Sequence, residues 1–143
     1  MNDITKYVNR LFNEWMEHGK IIIGVDFDST ISPYPTIEND EDIMRCIKLI
    51  QKAKETGAYT IVYTCCDPGR YDDILGFCKN NGIEMDGINK NPIKLPFGHN
   101  TKPYCNVYLD DRSGFIQAMN ILEQAMYLVR AENESKNILL QEF

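Results

Sequence analysis

Residues 21–25, IIIGV, are five apolar or small residues in a row that run straight into Asp26, Phe27 and Asp28. A run so short and so uniformly apolar reads as a buried strand of a parallel sheet, and the aspartates mark where it ends. CNVYLDD, residues 105–111, repeats the arrangement and closes on Asp110 and Asp111. AYTIVYT, residues 58–64, is rich in β-branched and aromatic types and makes a third strand, ending in Thr64.

Helical patterns fill the intervals. Residues 3–18 place Ile4, Val8, Leu11, Phe12 and Trp15 at helical spacing, with Gly19 as a stop. After the proline-bearing loop SPYPTIEND, residues 41–57 put Ile43, Ile47, Ile50 and Ala53 on one face before Gly57. CCDPG is a turn, RYDDILGFCKNNG a helix closed by Gly82, and IEMDGI, 83–88, a weak strand. A long polar loop, NKNPIKLPFGHNTKP, leads to the last strand, and a helix is expected from about Ser113 to Glu132. Strands alternating with helices predict an α/β fold with a small parallel sheet covered on both faces, a three-layer sandwich with right-handed crossovers. The expected division is a single domain over 1–143, with an N-terminal helix at about 3–18, a core at about 20–132 and a short C-terminal tail.

A chain of 143 residues suits one domain, and 43% apolar with 25% charged residues excludes a disordered chain. The net charge of -6, with 15 Lys and Arg scattered rather than clustered, disfavours nonspecific nucleic-acid binding. A phosphorylated small molecule stays open as a partner. Cys46, Cys65, Cys66, Cys78 and Cys105 are an odd set without metal-finger spacing, and the N-terminus lacks the apolar core of a signal peptide, so a reduced cytoplasmic home is expected. Apolar runs of five to seven residues are too short to span a membrane.

In open α/β sheets, ligands bind at the carboxyl ends of the strands, where the winding direction changes. Asp26, Asp28, Thr64, Asp110 and Asp111 are expected to meet there. Gathered carboxylates raise one another's pKa, so a positive charge must compensate. Mg2+ suits an all-oxygen site and is usually held by one or two carboxylates plus a substrate phosphate. A lysine adds more charge, with Lys102, eight residues before Asp110, preferred to Lys90. An ionised Asp is a competent nucleophile toward phosphorus, which fits Asp26. Strand alternation returns Asp28 to the same side, where it can act as acid and then base. Thr64 and Lys102 would hold phosphoryl oxygens.

This set resembles the haloacid dehalogenase-like hydrolase superfamily, whose phosphatases carry an apolar strand ending in DxDx[TV]. Here that is DFDST, residues 26–30; the second motif is matched by YTIVYT at Thr64, the third by Lys102, and the fourth by YLDD at Asp110 and Asp111. The resemblance implies an aspartyl-phosphate on Asp26, an acid/base Asp28, phosphate contacts from Thr64 and Lys102, and Mg2+ on Asp26, Asp110 and the Asp28 carbonyl, with Asp111 a ligand or a neighbour of one. The motifs span residues 21–112, in the family's order. Cys65 and Cys66 follow Thr64 where many relatives have an arginine nearby. The 33 residues between Thr30 and Thr64 and the 37 between Thr64 and Lys102 leave no room for a cap domain. Capless members take bulky or polymeric substrates or close their sites by oligomerisation, so a homo-oligomer is among the expectations. The implied activity is a Mg2+-dependent phosphomonoesterase acting on a phosphorylated small molecule or nucleotide; a nucleotidase, a nucleic-acid-end phosphatase and a non-catalytic phosphate-binding module are its alternatives.

Blander readings weigh against single residues. YLDDRSG alone could be a helix cap, Thr64 alone a strand former, Lys90 or Lys102 alone a solvated loop residue. Cys65 and Cys66 read as passive thiols, His18 and His99 lack metal partners, and YDD, 71–73, reads as a solvated first helical turn. Tyr34 is a loop anchor or a substrate platform in equal measure. A receiver-type signalling domain would carry its acidic pair first, whereas here the pair comes last. A dinucleotide-binding dehydrogenase lacks its GxGxxG.

Overall fold

The computed structural model describes residues 3–33, 41–96 and 102–141. Tyr34 and His99, within 34–40 and 97–101, lie outside the described residues.

Helix α1, Thr5–His18, buries Val8, Leu11 and Trp15 along one stripe and ends where Gly19 takes φ +70°. Strand β1 follows at Ile22–Val25 with all four residues buried. Helix α2, Glu41–Glu55, buries Ile43, Ile47, Ile50 and Ala53 as the spacing requires, with acidic residues in its first turn and lysines in its last. Strand β2 is Tyr59–Val62. The CCDPG turn ends in a 3-10 turn, Pro68–Arg70, whose start is capped by Asp67 Oδ1 accepting the Gly69 N–H at 2.8 Å. Helix α3 is Tyr71–Asn80, β3 is Gly87–Ile88, β4 is Val107–Leu109 and α4 is Phe115–Gln141.

The four strands are parallel in the order β3-β2-β1-β4. From β1 the chain steps outward through α2 to β2 and through α3 to β3, then returns past β1 to form β4. The winding direction therefore reverses at the β1/β4 seam, which puts the crevice of an open α/β sheet at the carboxyl ends of those two strands. The seam is extended by side chain and backbone alike: the Ile22 N–H donates to Asn106 Oδ1 at 2.7 Å, and the Asp26 N–H to the Leu109 carbonyl at 2.9 Å.

Strand alternation divides the sheet into unequal faces. Ile23, Val25, Val62, Ile88, Val107 and Leu109 join one buried cluster with residues of all four α-helices. Ile22, Ile61 and Cys105 form a separate cluster, with Tyr59 and Tyr108 packed on it, to which no described helix contributes. The helical layer expected on that second face is thus replaced, among the described residues, by the segment leading into β4 and by tyrosine rings. The reason is local: this return connection carries Asn, Pro and Gly in place of an apolar helical stripe.

Two further boundaries differ from expectation. The strand expected at 83–88 is reduced to two residues, because the Ile83 amide closes the end of α3 on the Cys78 carbonyl and the Asp86 carboxylate takes the Thr60 N–H at 2.8 Å. Helix α4 continues past Glu132 to Gln141, through residues 131–141 that are all exposed, since ENESKNILLQ holds no Gly or Pro to stop it. No described helix is long and apolar enough to cross a membrane.

Leu122, fully buried where α4 meets the sheet cluster, is the test of this core. Leu122→Ala is expected to lower the unfolding free energy by about 2–5 kcal/mol in urea titrations. Glu132→Ala, on the exposed end of the same helix, is expected to stay within about 0.5 kcal/mol.

Candidate active site

Beyond Val25 the chain turns tightly. The Phe27 carbonyl accepts N–H groups from Thr30, Ile31 and Ser32 at 3.3, 3.2 and 3.1 Å, and Ser29, at φ +65°, donates to the Ser32 carbonyl at 2.8 Å. Phe27 is buried and meets Phe77 of α3 edge-on at 5.4 Å, which anchors the turn to the helical side. The turn carries Thr30 back beneath Asp26. Thr30 is fully buried, and its hydroxyl lies 3.3 Å from Asp26 Oδ2 and 3.0 Å from Asp111 Oδ1 while accepting the Asp111 N–H at 3.1 Å. One hydroxyl therefore ties the end of β1 to the residues after β4.

Asp26, Asp110 and Asp111 each offer a carboxylate oxygen within 4.8 Å of the others, all three half-buried. Asp110 is held at both oxygens: Oδ1 accepts the Arg112 N–H at 3.0 Å, and Oδ2 accepts the Tyr63 hydroxyl at 3.1 Å. Burial, then the charge of Asp110, then the hydrogen bond and charge of Asp111 push the Asp26 carboxyl from 3.8 up to about 7, with only the Phe27 N–H opposing. Burial and the Asp110 charge likewise drive the Tyr63 phenol far above its ordinary value, so it remains a donor. An oxygen-only donor set of this kind suits Mg, Ca or Mn, and a divalent cation there would relieve the repulsion that lifts Asp26.

Asp28 stands apart from this trio. Its side chain, 42% exposed, faces Arg70 Nη2 at 3.8 Å. The sequence shows no arginine directly after Thr64, yet the 3-10 turn brings Arg70 to Asp28 from six residues further on.

Thr64 is half-buried just past the end of β2 and is clamped by Asn89: its N–H donates to Asn89 Oδ1 at 2.8 Å, and Asn89 Nδ2 donates to its carbonyl at 2.9 Å. Its hydroxyl accepts the Cys66 N–H at 3.2 Å, which leaves the O–H proton for another partner. Asn89 also donates to the Tyr71 hydroxyl at 2.8 Å, so Tyr71 is a half-buried anchor and not the solvated residue expected, whereas Asp72 and Asp73 are exposed as expected. Asn89 adopts φ +53°, a conformation that asparagine tolerates better than most residues, and that preference was its available sequence signal.

Lys102 is not brought to the aspartates. Its Nζ sits 4.9 Å from the centre of the Tyr108 ring, and among the described residues neither Lys102 nor Lys90 forms an ion pair with Asp26, Asp28, Asp110 or Asp111. Chain order says nothing about which face a loop lysine reaches. Cys46, Cys78 and Cys105 are buried and their thiols pushed up to about 12, 11 and 12, which makes them inert, while Cys65 is exposed and Cys66 half-buried. Among the described residues, His18 Nε2 lies 3.9 Å from Glu17 Oε2 on the exposed end of α1.

The raised Asp26 gives a signed pH dependence for the cation-free protein. The folded chain holds a proton that the unfolded chain releases near 3.8, so this stabilisation is complete below that pH and is lost as pH rises through about 7. Urea midpoints in chelator are expected to fall across that interval, and Asp26→Asn is expected to flatten the fall. Equal slopes for the two proteins would contradict the assignment.

No protein-family model matches the chain, and no curated protein matches it. Among solved structures, a conserved protein coded by a locus from Bacteroides thetaiotaomicron is similar, with a TM-score of 0.56 at 22% identity over 71% of this chain and 89% of that one. That likeness establishes a shared fold.

Proposed function

We propose that this chain is a capless phosphomonoesterase of the haloacid dehalogenase-like type, dependent on Mg2+ and acting on a phosphorylated small molecule or nucleotide. The observation that carries the reading is the convergence of Asp26, Asp110 and Asp111 on one point at the β1/β4 seam. The five unpaired cysteines suit a reducing compartment such as the cytoplasm.

Asp26, Asp110 and Asp111 would hold the cation, which supplies the positive charge that lets Asp26 ionise and a phosphate approach. Asp26 then attacks phosphorus as the bond to the leaving oxygen breaks, and Asp28 gives that oxygen a proton. In the second step Asp28 takes a proton from water, the water oxygen bonds to phosphorus, and the Asp26 carboxylate is released. The Arg70 guanidinium, 3.8 Å from Asp28, would meet negative charge on the substrate. Thr64 offers its hydroxyl proton to a phosphoryl oxygen. Lys102 serves the phosphate in this reading only by leaving the Tyr108 ring, so Arg70 shares that task.

A substrate panel tests the reading: nucleoside monophosphates, 3'-phosphorylated DNA, sugar phosphates and an aryl phosphate, each with and without Mg2+. Turnover is expected to stop in chelator and return with Mg2+, and Asp26→Asn is expected to remove it with the fold intact. Wild-type rates from Asp26→Asn, or from chelated protein, would refute the proposal. Asp28→Asn is expected to slow alkyl phosphates by about 10² to 10⁴ and aryl phosphates far less in the first step, because an aryl leaving oxygen needs little protonation. With an aryl phosphate it should show a burst and then slow turnover, whereas equal slowing of both classes without a burst would assign Asp28 a structural role.

A further inference from the structure

Tyr63 leaves β2 beside Asp26, its N–H donating to the Val25 carbonyl at 3.0 Å. Alternation puts its side chain on the face of Tyr59 and Ile61, away from the helices. To reach Asp110, beyond the end of β4, the ring has to cross β1, since β2 and β4 flank that strand with about 10 Å between them. Gly24 opens the way. A Cβ at that position would lie 3.2 Å from Tyr63 Cδ1, 3.1 Å from Tyr108 Cδ1 and 2.7 Å from Cys105 Sγ, so a side chain there would occupy the space that the rings use. Tyr108 meets the Tyr63 ring edge-on at 5.6 Å, and its own hydroxyl is turned away to the Pro103 carbonyl at 2.8 Å. The ring of Tyr63 is thus walled on one side and floored by glycine, and its hydroxyl ends 3.1 Å from Asp110 Oδ2.

We propose that Tyr63 is the positioning residue for Asp110, its phenol laid across Gly24 to fix that carboxylate for a divalent cation. The inference rests on the reading that Asp26, Asp110 and Asp111 hold such a cation. With Arg112 N–H on one oxygen and Tyr63 O–H on the other, Asp110 has one orientation in place of many, and each oxygen keeps a lone pair for the ion. Packing alone does not account for a tyrosine here, because phenylalanine would fill the same space. The hydroxyl is the part that reaches the site.

The test is binding of Mn2+ to the otherwise unloaded protein, followed by the electron paramagnetic resonance signal of the free ion, with Mg2+ as competitor. Tyr63→Phe is expected to weaken Mn2+ by about tenfold or more, the usual effect of losing a partner of a metal ligand. Gly24→Ala, which keeps the hydroxyl but obstructs the ring, should weaken it in the same direction and provides a second route if Tyr63→Phe folds poorly. Tyr108→Phe, whose lost hydroxyl faces Pro103, is expected to leave Mn2+ affinity within about twofold. If Asp110→Asn loses Mn2+ while Tyr63→Phe and Gly24→Ala bind as wild type, the positioning role is overturned and the cation site stands. If Mn2+ binding is absent from wild type, or is unchanged by Asp110→Asn, the cation reading falls and this role with it.

Discussion

Like charge held in half-buried ground is the constraint around which the rest of this molecule is arranged. Asp26, Asp110 and Asp111 repel one another, and leaving water makes that repulsion stronger. The fold answers with donors: Thr30 between Asp26 and Asp111, the Arg112 amide and the Tyr63 phenol on Asp110, the Phe27 amide at Asp26. These donors come from three separate segments, the turn after β1 and the ends of β2 and β4, so the cluster is a product of tertiary structure and not of any one loop. Hydrogen bonds orient the carboxylates without neutralising them, and the residual cost appears as the raised Asp26.

The two faces of the sheet divide the labour. On the helical side, side chains of all four helices supply the apolar burial that makes the strands stable. On the other side the cover is thin and aromatic, with Tyr59 and Tyr108 over Ile22, Ile61 and Cys105. Tyrosine suits that position because its ring buries apolar area while its hydroxyl reaches a polar partner. Lys102 over Tyr108, Tyr108 against Tyr63 and Tyr63 on Asp110 form a continuous line from the surface to the acidic cluster.

The strands with uninterrupted apolar runs and the helices with clear periodicity were legible in the sequence, because burial on a regular element leaves a regular mark. Bringing Asp26, Asp110 and Asp111 together was legible for the same reason: strand ends in a parallel sheet share one edge. What the sequence concealed depends on side chains that replace backbone or change face. Asp86 substitutes a carboxylate for a strand carbonyl and shortens β3. Lys102 has the expected order in the chain but sits over an aromatic ring on the second face. Asp28 shares a strand parity with Asp26, yet the turn at Ser29 begins too soon for parity to govern it, and its carboxylate meets Arg70. Tyr63 could have been placed by counting alternate residues from Tyr59, although its partner across β1 becomes visible only with Gly24, in register with Ile61, leaving space beside its ring.

The β1/β4 seam has a consequence for the order in which the molecule assembles. Ile23 pairs with Val107, so β1 and its neighbour β4 are separated by most of the chain, with β2 and β3 made in between. Contacts of such sequence separation close late, because a long loop must lose its freedom before they are rewarded. A chain emerging from the ribosome would therefore carry DFDST as an ordinary solvated turn, free of neighbouring charge, while the β1–β2–β3 half gathers its helices. The acidic cluster comes into being only when β4 inserts along the open edge of β1, in the step that also completes the sheet.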